Sequence, residues 1–317
     1  MATGINVISG PGIPLEVDST FTLLGIRFWD LLQNLPVTDG LAVNLRLANS
    51  PAPPLNAVLT QSGVYAFFGL PGLRAVENQL DPADYRPPRT FRYIVTVQDL
   101  LGRYLPSVFV YTLDQTGAVI AGGSPPAPTT GVRLAYLFSA PTRPVPSGVG
   151  AVRASLVDRD LVVNGTYQAA AWAVVQVQVS GDAEVWTGIS DASGQVLVPL
   201  PYPLLQRLQL GSPPGSSQGS IAGESWPITV QVMYNPSQLI FPLAGTADLV
   251  WPWTVTPNLR SMLENQPGAT IWPDPATPSS QISASLTYGQ DTVLRSLAGS
   301  PPATSSNLLI SRGTSPP

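Results

Sequence analysis

Carboxylates are the groups best placed to do chemistry in this 317-residue chain, because it contains no histidine, cysteine or lysine. Asp158-Arg159-Asp160 sets two of them two residues apart beside Asn164-Gly165, a spacing at which a pair could bind calcium or share acid and base roles. The simpler reading is that they cap a turn in solvent. Asp81 with Asp84, in a proline-rich loop, and Asp182 with Glu184, between strands, read as loop charges in the same way. No glycine-rich phosphate loop follows a strand and opens a helix, and no nucleophile, base and oxyanion donor can be assembled. The sequence therefore assigns no catalytic, cofactor-binding or metal-binding residue, and the chain reads as a non-enzyme.

The missing residue types exclude more than the carboxylates suggest. Without histidine there is no Ser-His-Asp or Cys-His relay, and the usual zinc ligands and neutral-pH proton shuttle are gone. Without cysteine there is no thiol nucleophile, and redox chemistry gives no clue to compartment. Without lysine, Schiff-base chemistry and the Walker-type phosphate lysine are impossible. All 15 basic residues are arginines, scattered singly through a chain of net charge −4. Nucleic-acid binding needs a concentrated basic patch, so none is expected. No apolar run approaches the roughly 20 residues that span a bilayer. Residues 1–15 carry neither a basic n-region nor an apolar h-region, so cytoplasmic residence is the expectation.

The elements that would position any site are short strands. Only 11% of residues are charged, against 35 prolines and 28 glycines, which punctuate the chain too often for long helices. Residues 59–73 are the most informative stretch. Ser62-Gly63 supplies a tight turn, Val64-Tyr65-Ala66-Phe67-Phe68 a strand, and Gly69-Leu70-Pro71-Gly72 its exit. Upstream, Leu41, Val43, Leu45 and Leu47 alternate with Ala42, Asn44, Arg46 and Ala48, the period of a half-buried strand. Residues 173–179 and 187–201 repeat the strand, Ser-Gly turn, strand and Leu-Pro exit.

The expected fold is all-β, with two β-sandwich modules of immunoglobulin-like or transthyretin-like type. The organisation predicted is an N-terminal arm over 1–18, a first module over 19–120, a linker over 121–131 and a second module over 132–255. Residues 256–317 are then a short helix plus an extended tail, the helix capped by Thr256 with Pro257 in its first turn. Strand-like pieces at 282–288 and 308–310 suit addition to a partner's sheet, as the arm does. Residues 210–223 read as a mobile loop.

Three blocks carry a family resemblance: residues 68–77, from Phe68-Gly69-Leu70-Pro71-Gly72 to Glu77; residues 137–144, around Ser139-Ala140-Pro141-Thr142-Arg143; and residues 286–296, around Tyr288-Gly289-Gln290 and Arg295. Together they resemble accessory structural proteins of phage-tail-like contractile injection systems. Thr60-Gln61-Ser62-Gly63-Val64-Tyr65-Ala66-Phe67 is also similar to carboxypeptidase-regulatory-like, transthyretin-like sandwiches. The resemblance implies a non-enzymatic part at the capped end of the sheath and tube, or else on the baseplate. Its implied partners are sheath, tube and tube-terminator proteins, in a six-fold ring within a cytoplasmically assembled particle.

Arg74, Arg143, Arg295 and Tyr288 in those blocks, with the proline-locked Trp251 and Trp253, are the candidate interface residues. Each of Arg143 and Arg295 either anchors an interface or closes a loop in its own module. A different class stays open: a sandwich that holds glycan or peptide on Trp251 and Trp253.

Overall fold

The computed structural model describes residues 4–5, 19–20, 22–77, 90–114, 132–203, 223–244, 252–298 and 303–313. The chain is all-β, and it divides into two compact units, Met1–Leu101 with Pro106–Leu137 and Gly102–Leu105 with Phe138–Pro317. Among the described residues no helix is long and apolar enough to cross a membrane.

The first unit has two sheets. One runs β6 (Ser107–Asp114), β5 (Thr90–Asp99), β2 (Leu41–Leu47) and the two-residue strand Leu55–Asn56, all antiparallel. The other runs β7 (Val132–Leu137), β1 (Leu24–Asp30), β4 (Tyr65–Phe67) and β3 (Val58–Leu59). The alternation seen in sequence at β2 buries Val43 and Leu45. From the other sheet Phe28 packs its ring against Tyr65 at 5.3 Å and against Phe109 of β6 at 6.0 Å, so aromatic contacts stitch the two layers.

Two boundaries differ from the sequence reading. β7, expected to open the second module at residue 132, pairs in parallel with β1, from Val132↔Gly25 to Leu137↔Asp30. The division therefore falls after Leu137. A parallel partner more than a hundred residues away leaves no local signal. Of the arm, only Gly4–Ile5 is described, paired with Ser19–Thr20. The predicted linker and the 210–222 loop lie outside the described residues.

The second unit is built on one long strand, β8 (Val149–Val163). β8 pairs antiparallel with β12 (Gln195–Pro201) and β9 (Thr166–Ala169), and parallel with β16 (Asp291–Leu294) and β17 (Leu308–Ser311). β14 (Thr270–Trp272) closes that sheet beside β17. The facing sheet is β11 (Val185–Ile189), β10 (Val174–Val179), β13 (Ser225–Met233) and β15 (Ile282–Thr287). Val152, Ala154 and Leu156 meet Val175, Val177, Val230 and Val232 in one core.

The tail beyond residue 256 is not an assembly arm. Ile271, Leu286, Leu294, Leu308 and Ile310 belong to that same core, all nearly or fully buried. Each is worth roughly 1.5–3 kcal/mol, a large share of the ~5–15 kcal/mol that holds a domain together. The strand-like pieces do add to a sheet, but to this unit's own. The short helix Leu259–Glu264 starts later than expected, with Asn258 at the cap position. The Thr256 hydroxyl instead donates to the Pro252 carbonyl at 2.8 Å, and Asn258 N–H is taken by the Ile240 carbonyl at 2.7 Å.

The internal repeat is local only. In both copies a glycine at positive φ, Gly63 and Gly194, closes the same turn: Gly63 N–H donates to Thr60 and Gly194 N–H to Asp191, at 3.0 Å each. The first turn joins β3 and β4 within one sheet, whereas the second carries the chain from β11 in one sheet to β12 in the other.

At the exit of β4, the one-turn helix Arg74–Glu77 returns Glu77 to the strand end, where Oε2 accepts from Leu70 N–H at 3.1 Å. Glu77 is buried, and its Oε1 has no hydrogen-bond partner among the described residues. Desolvation pushes its carboxyl above the ordinary range, against the pull of the Leu70 and Gly69 amides and Arg74. The folded state thus keeps a proton that the unfolded state releases, so stability falls as pH rises from the ordinary carboxylate value through the raised one, and is level above it. Glu77→Gln removes this dependence. Thermal melts from pH 4 to 8 should show the parent losing stability relative to the variant as pH rises through the raised value, and the variant showing no such loss.

Candidate functional site

The carboxylate pair is where the structure departs furthest from the sequence reading. β8 alternates, so Asp158 continues the inward face of Val152, Ala154 and Leu156 and is fully buried. Its Oδ2 accepts from Arg312 Nε at 2.8 Å and from the Tyr234 hydroxyl at 3.2 Å, while Oδ1 accepts from Asp160 N–H at 2.9 Å. Asp160, which is exposed, takes Arg312 N–H on Oδ2 at 2.9 Å. Between them Arg159 lays its guanidinium 3.7 Å from the centre of the Trp272 ring, whose Nε1 donates to Ser311 Oγ at 2.9 Å.

All three side chains of the triplet therefore hold the last strand and its neighbour. They do not cap a turn in solvent. Burial, and then the Asp158 charge, push the Tyr234 hydroxyl far above its ordinary value, and the hydrogen bond to Asp158 raises Arg312 further. This carboxylate is ion-paired and hydrogen-bonded on both oxygens, which leaves it neither a free base nor an open ligand. Among the described residues no group of three or more carboxylates gathers to hold a metal. Arg312 and Tyr234 were not singled out in the sequence, although the unbroken parity from Val152 to Asp158 was there to be followed.

The interface candidates do not converge. Arg143 is buried, donates from Nη1 to Ser139 Oγ at 2.9 Å and lies 4.9 Å from the centre of the Tyr104 ring. It closes a loop within the second unit and is no surface anchor. Arg74 is exposed and bends back to the Gly69 carbonyl at 3.3 Å. Arg295 is exposed. Tyr288 is half-buried, 4.8 Å from the ring of Tyr202, which in turn lies 5.5 Å from Trp226. Trp253 is half-buried in the turn Trp253–Val255, and Trp251 lies outside the described residues. Asp182 accepts from Glu184 N–H at 3.1 Å in an exposed turn, and Asp81 and Asp84 also lie outside.

One cleft, of about 540 Å³, sits where β13 parts from β15 and meets residues 268–270 and 278–280. Gln231, Met233, Thr270, Pro278, Ser279 and Ser280 line it, with no titratable group among its lining. Hydroxyls, an amide and a thioether can bind a neutral polar molecule.

No protein-family model and no characterised protein matches the chain. Among solved structures it is similar to the Bacillus anthracis TIE protein, 15% identical over 71% of this chain and 30% of that one, with a TM-score of 0.21. It is also similar to the open conformation of the pilus adhesin SpaC from Lactobacillus rhamnosus GG, 11% identical over 93% and 31%, TM-score 0.21. A C-terminal fragment of SpaC is 12% identical over 91% and 95%, TM-score 0.22. The chain spans less than a third of the length of the first two. Agreement at that level carries no argument about fold or function.

Arg312→Ala leaves the Asp158 carboxylate in the core without its cation, held only by the Tyr234 hydroxyl and the Asp160 amide. Denaturant unfolding should show a loss of about 2–3 kcal/mol, the low end for a broken buried pair because a third of the Arg312 side chain meets solvent. Asp158→Asn combined with Arg312→Met should recover most of that loss.

Proposed function

We propose that the chain is a non-catalytic structural component of a contractile injection particle, seated at the capped end of the sheath and tube. The family resemblance of the three sequence blocks motivates the particle. The observation that carries the structural role is the apolar surface left on both edge strands of one sheet in the first unit. β7 exposes Leu134 and Tyr136, and β3 exposes Val58 and Leu59. Leu100 and Leu101, at the end of β5, are more exposed still, at 68% and 60%. Edge strands that carry apolar side chains and no lysine or proline are open to pairing with another chain. A surface of this kind suits burial between subunits better than solvent.

The test is co-sedimentation. Expressed with its neighbouring genes, the chain should travel with sheath and tube proteins through a density gradient, and Leu134→Glu with Tyr136→Glu should reduce its share at least fivefold without changing its melting temperature. Recovery of the parent chain only as free protein, away from assembled particles, overturns the proposal.

A second reading is a module that holds an uncharged glycan or peptide, supported by the neutral cleft beside Gln231. It predicts glycan-array binding by the isolated chain that Gln231→Ala abolishes, and no dependence on Leu134 or Tyr136.

A further inference from the structure

The far end of β8 runs past the sheet it belongs to. Beyond Asp158 the ladder with β9 is interrupted, residues 159–161 are bulged out, and pairing resumes at Val162↔Tyr167 and Val163↔Thr166. Asn164 and Gly165 turn the chain at φ 51° and 75°, the two-residue hairpin geometry that matches strand twist. β17 leaves β8 at Asp158. Among the described residues the segment 162–167 is therefore paired only with itself, and every residue from 160 to 167 is exposed.

Such a two-stranded finger has little reason to persist in water. Its side chains make it worse. Leu161, Val162, Val163 and Tyr167 are each 40–52% exposed, and the register puts apolar groups on both faces: Val162 opposite Tyr167 on one, Val163 beside Thr166 on the other. No charged residue occurs from Leu161 to Gly181. Beyond the bulge at its base, the finger has neither the charge nor the proline that keeps an edge solitary.

Three occupants could cover it. A second copy paired edge to edge would extend the ladder but leave both faces bare. The finger offers only roughly 300 Å² of apolar surface, against the ~800 Å² that each side of a stable dimer contributes, so it cannot hold a second copy by itself and can serve only as one contact within a larger assembly. A lipid surface would call for cations at the base of the finger. The base instead holds Asp158 and Asp160, with Arg159 stacked on Trp272 and Arg312 paired to Asp158. What fits is a narrow, uncharged slot that clasps both faces at once.

We propose that the hairpin 161–167 is a plug that inserts into an apolar, uncharged slot on a different protein subunit. The assignment rests on the reading that the chain is built into an assembly, and it names the contact of the second unit. Its affinity comes from burying both faces of the finger, and its selectivity from the lack of charge, since a slot with an unpaired charge would be rejected.

The experiment places p-benzoylphenylalanine at Tyr167 in one full-length version of the chain and at Val163 in another, and irradiates gradient-purified particles. Both faces should cross-link to the same single polypeptide, different from this chain, and Val162→Asp should cut both cross-links at least tenfold while the melting temperature stays unchanged. Cross-links to a second copy, or none from either face in particles that contain the chain, overturn the plug and leave the structural role standing. Flotation of the purified chain with phosphatidylcholine vesicles, lost on Val162→Asp, also overturns it, in favour of a membrane contact. If the chain is absent from particles yet both positions cross-link to one other protein in cells, with the same dependence on Val162, the plug stands and the particle assignment falls.

Discussion

A buried carboxylate holds the second unit together. Asp158 sits inside a sandwich core on the longest strand of the chain, and it is tolerable there only because Arg312 and Tyr234 reach it from two other segments. Those two segments are the end of the chain and the residue just past β13, so one charge ties the first, middle and last parts of the unit. Arg159 reinforces it through the Trp272 ring, and Asp160 through the Arg312 amide. An ion pair of this kind is weak evidence for net stability but specific about register. Any shift of β17 by one residue would leave Asp158 unpaired and put Leu308 and Ile310 on the wrong face.

How much of this was legible depends on how local the cause is. The Ser62-Gly63 and Asn164-Gly165 turns, the alternation of Leu41 to Leu47 and the exit at Gly69-Leu70-Pro71-Gly72 are set within a few residues, and the strands they bound are where the sequence puts them. Gly72 shows how tight that exit is: it sits at φ 90°, and a Cβ there would lie 2.3 Å from the Phe91 ring. Three pairings were invisible because they are parallel and distant: β1 with β7, β8 with β16 and β8 with β17. Proline, serine and threonine dominate the tail, so it reads as polar and extended although Ile271, Leu286, Leu294, Leu308 and Ile310 turn inward. The triplet at 158–160 was misjudged for a different reason. Spacing alone suggested a solvent turn, whereas strand parity, counted from Val152, puts Asp158 in the core.

The functional consequence follows from what the two units spend on themselves. The strands expected to serve assembly are consumed in the second sandwich, and Arg143, read either as an anchor or as closing a loop, is buried against its own loop. Among the described residues, apolar edge surface on the first unit and the uncharged hairpin on the second stay exposed. Neither presents a nucleophile, a free base or a metal-ligand set. On the proposed reading the chain acts as a rigid spacer, with its chemistry limited to surfaces that other subunits cover.

Hydrogen exchange on the isolated full-length chain tests this most directly, because it asks whether the last strand is held without any partner. The account predicts that the amides of Leu308, Leu309 and Ile310 exchange as slowly as those of Val175 and Val177, through global opening alone, while residues 161–167 exchange within seconds. If the amides of β17 exchange rapidly in the isolated chain and become protected only inside an assembly, the last strand belongs to a partner's sheet and the account is wrong.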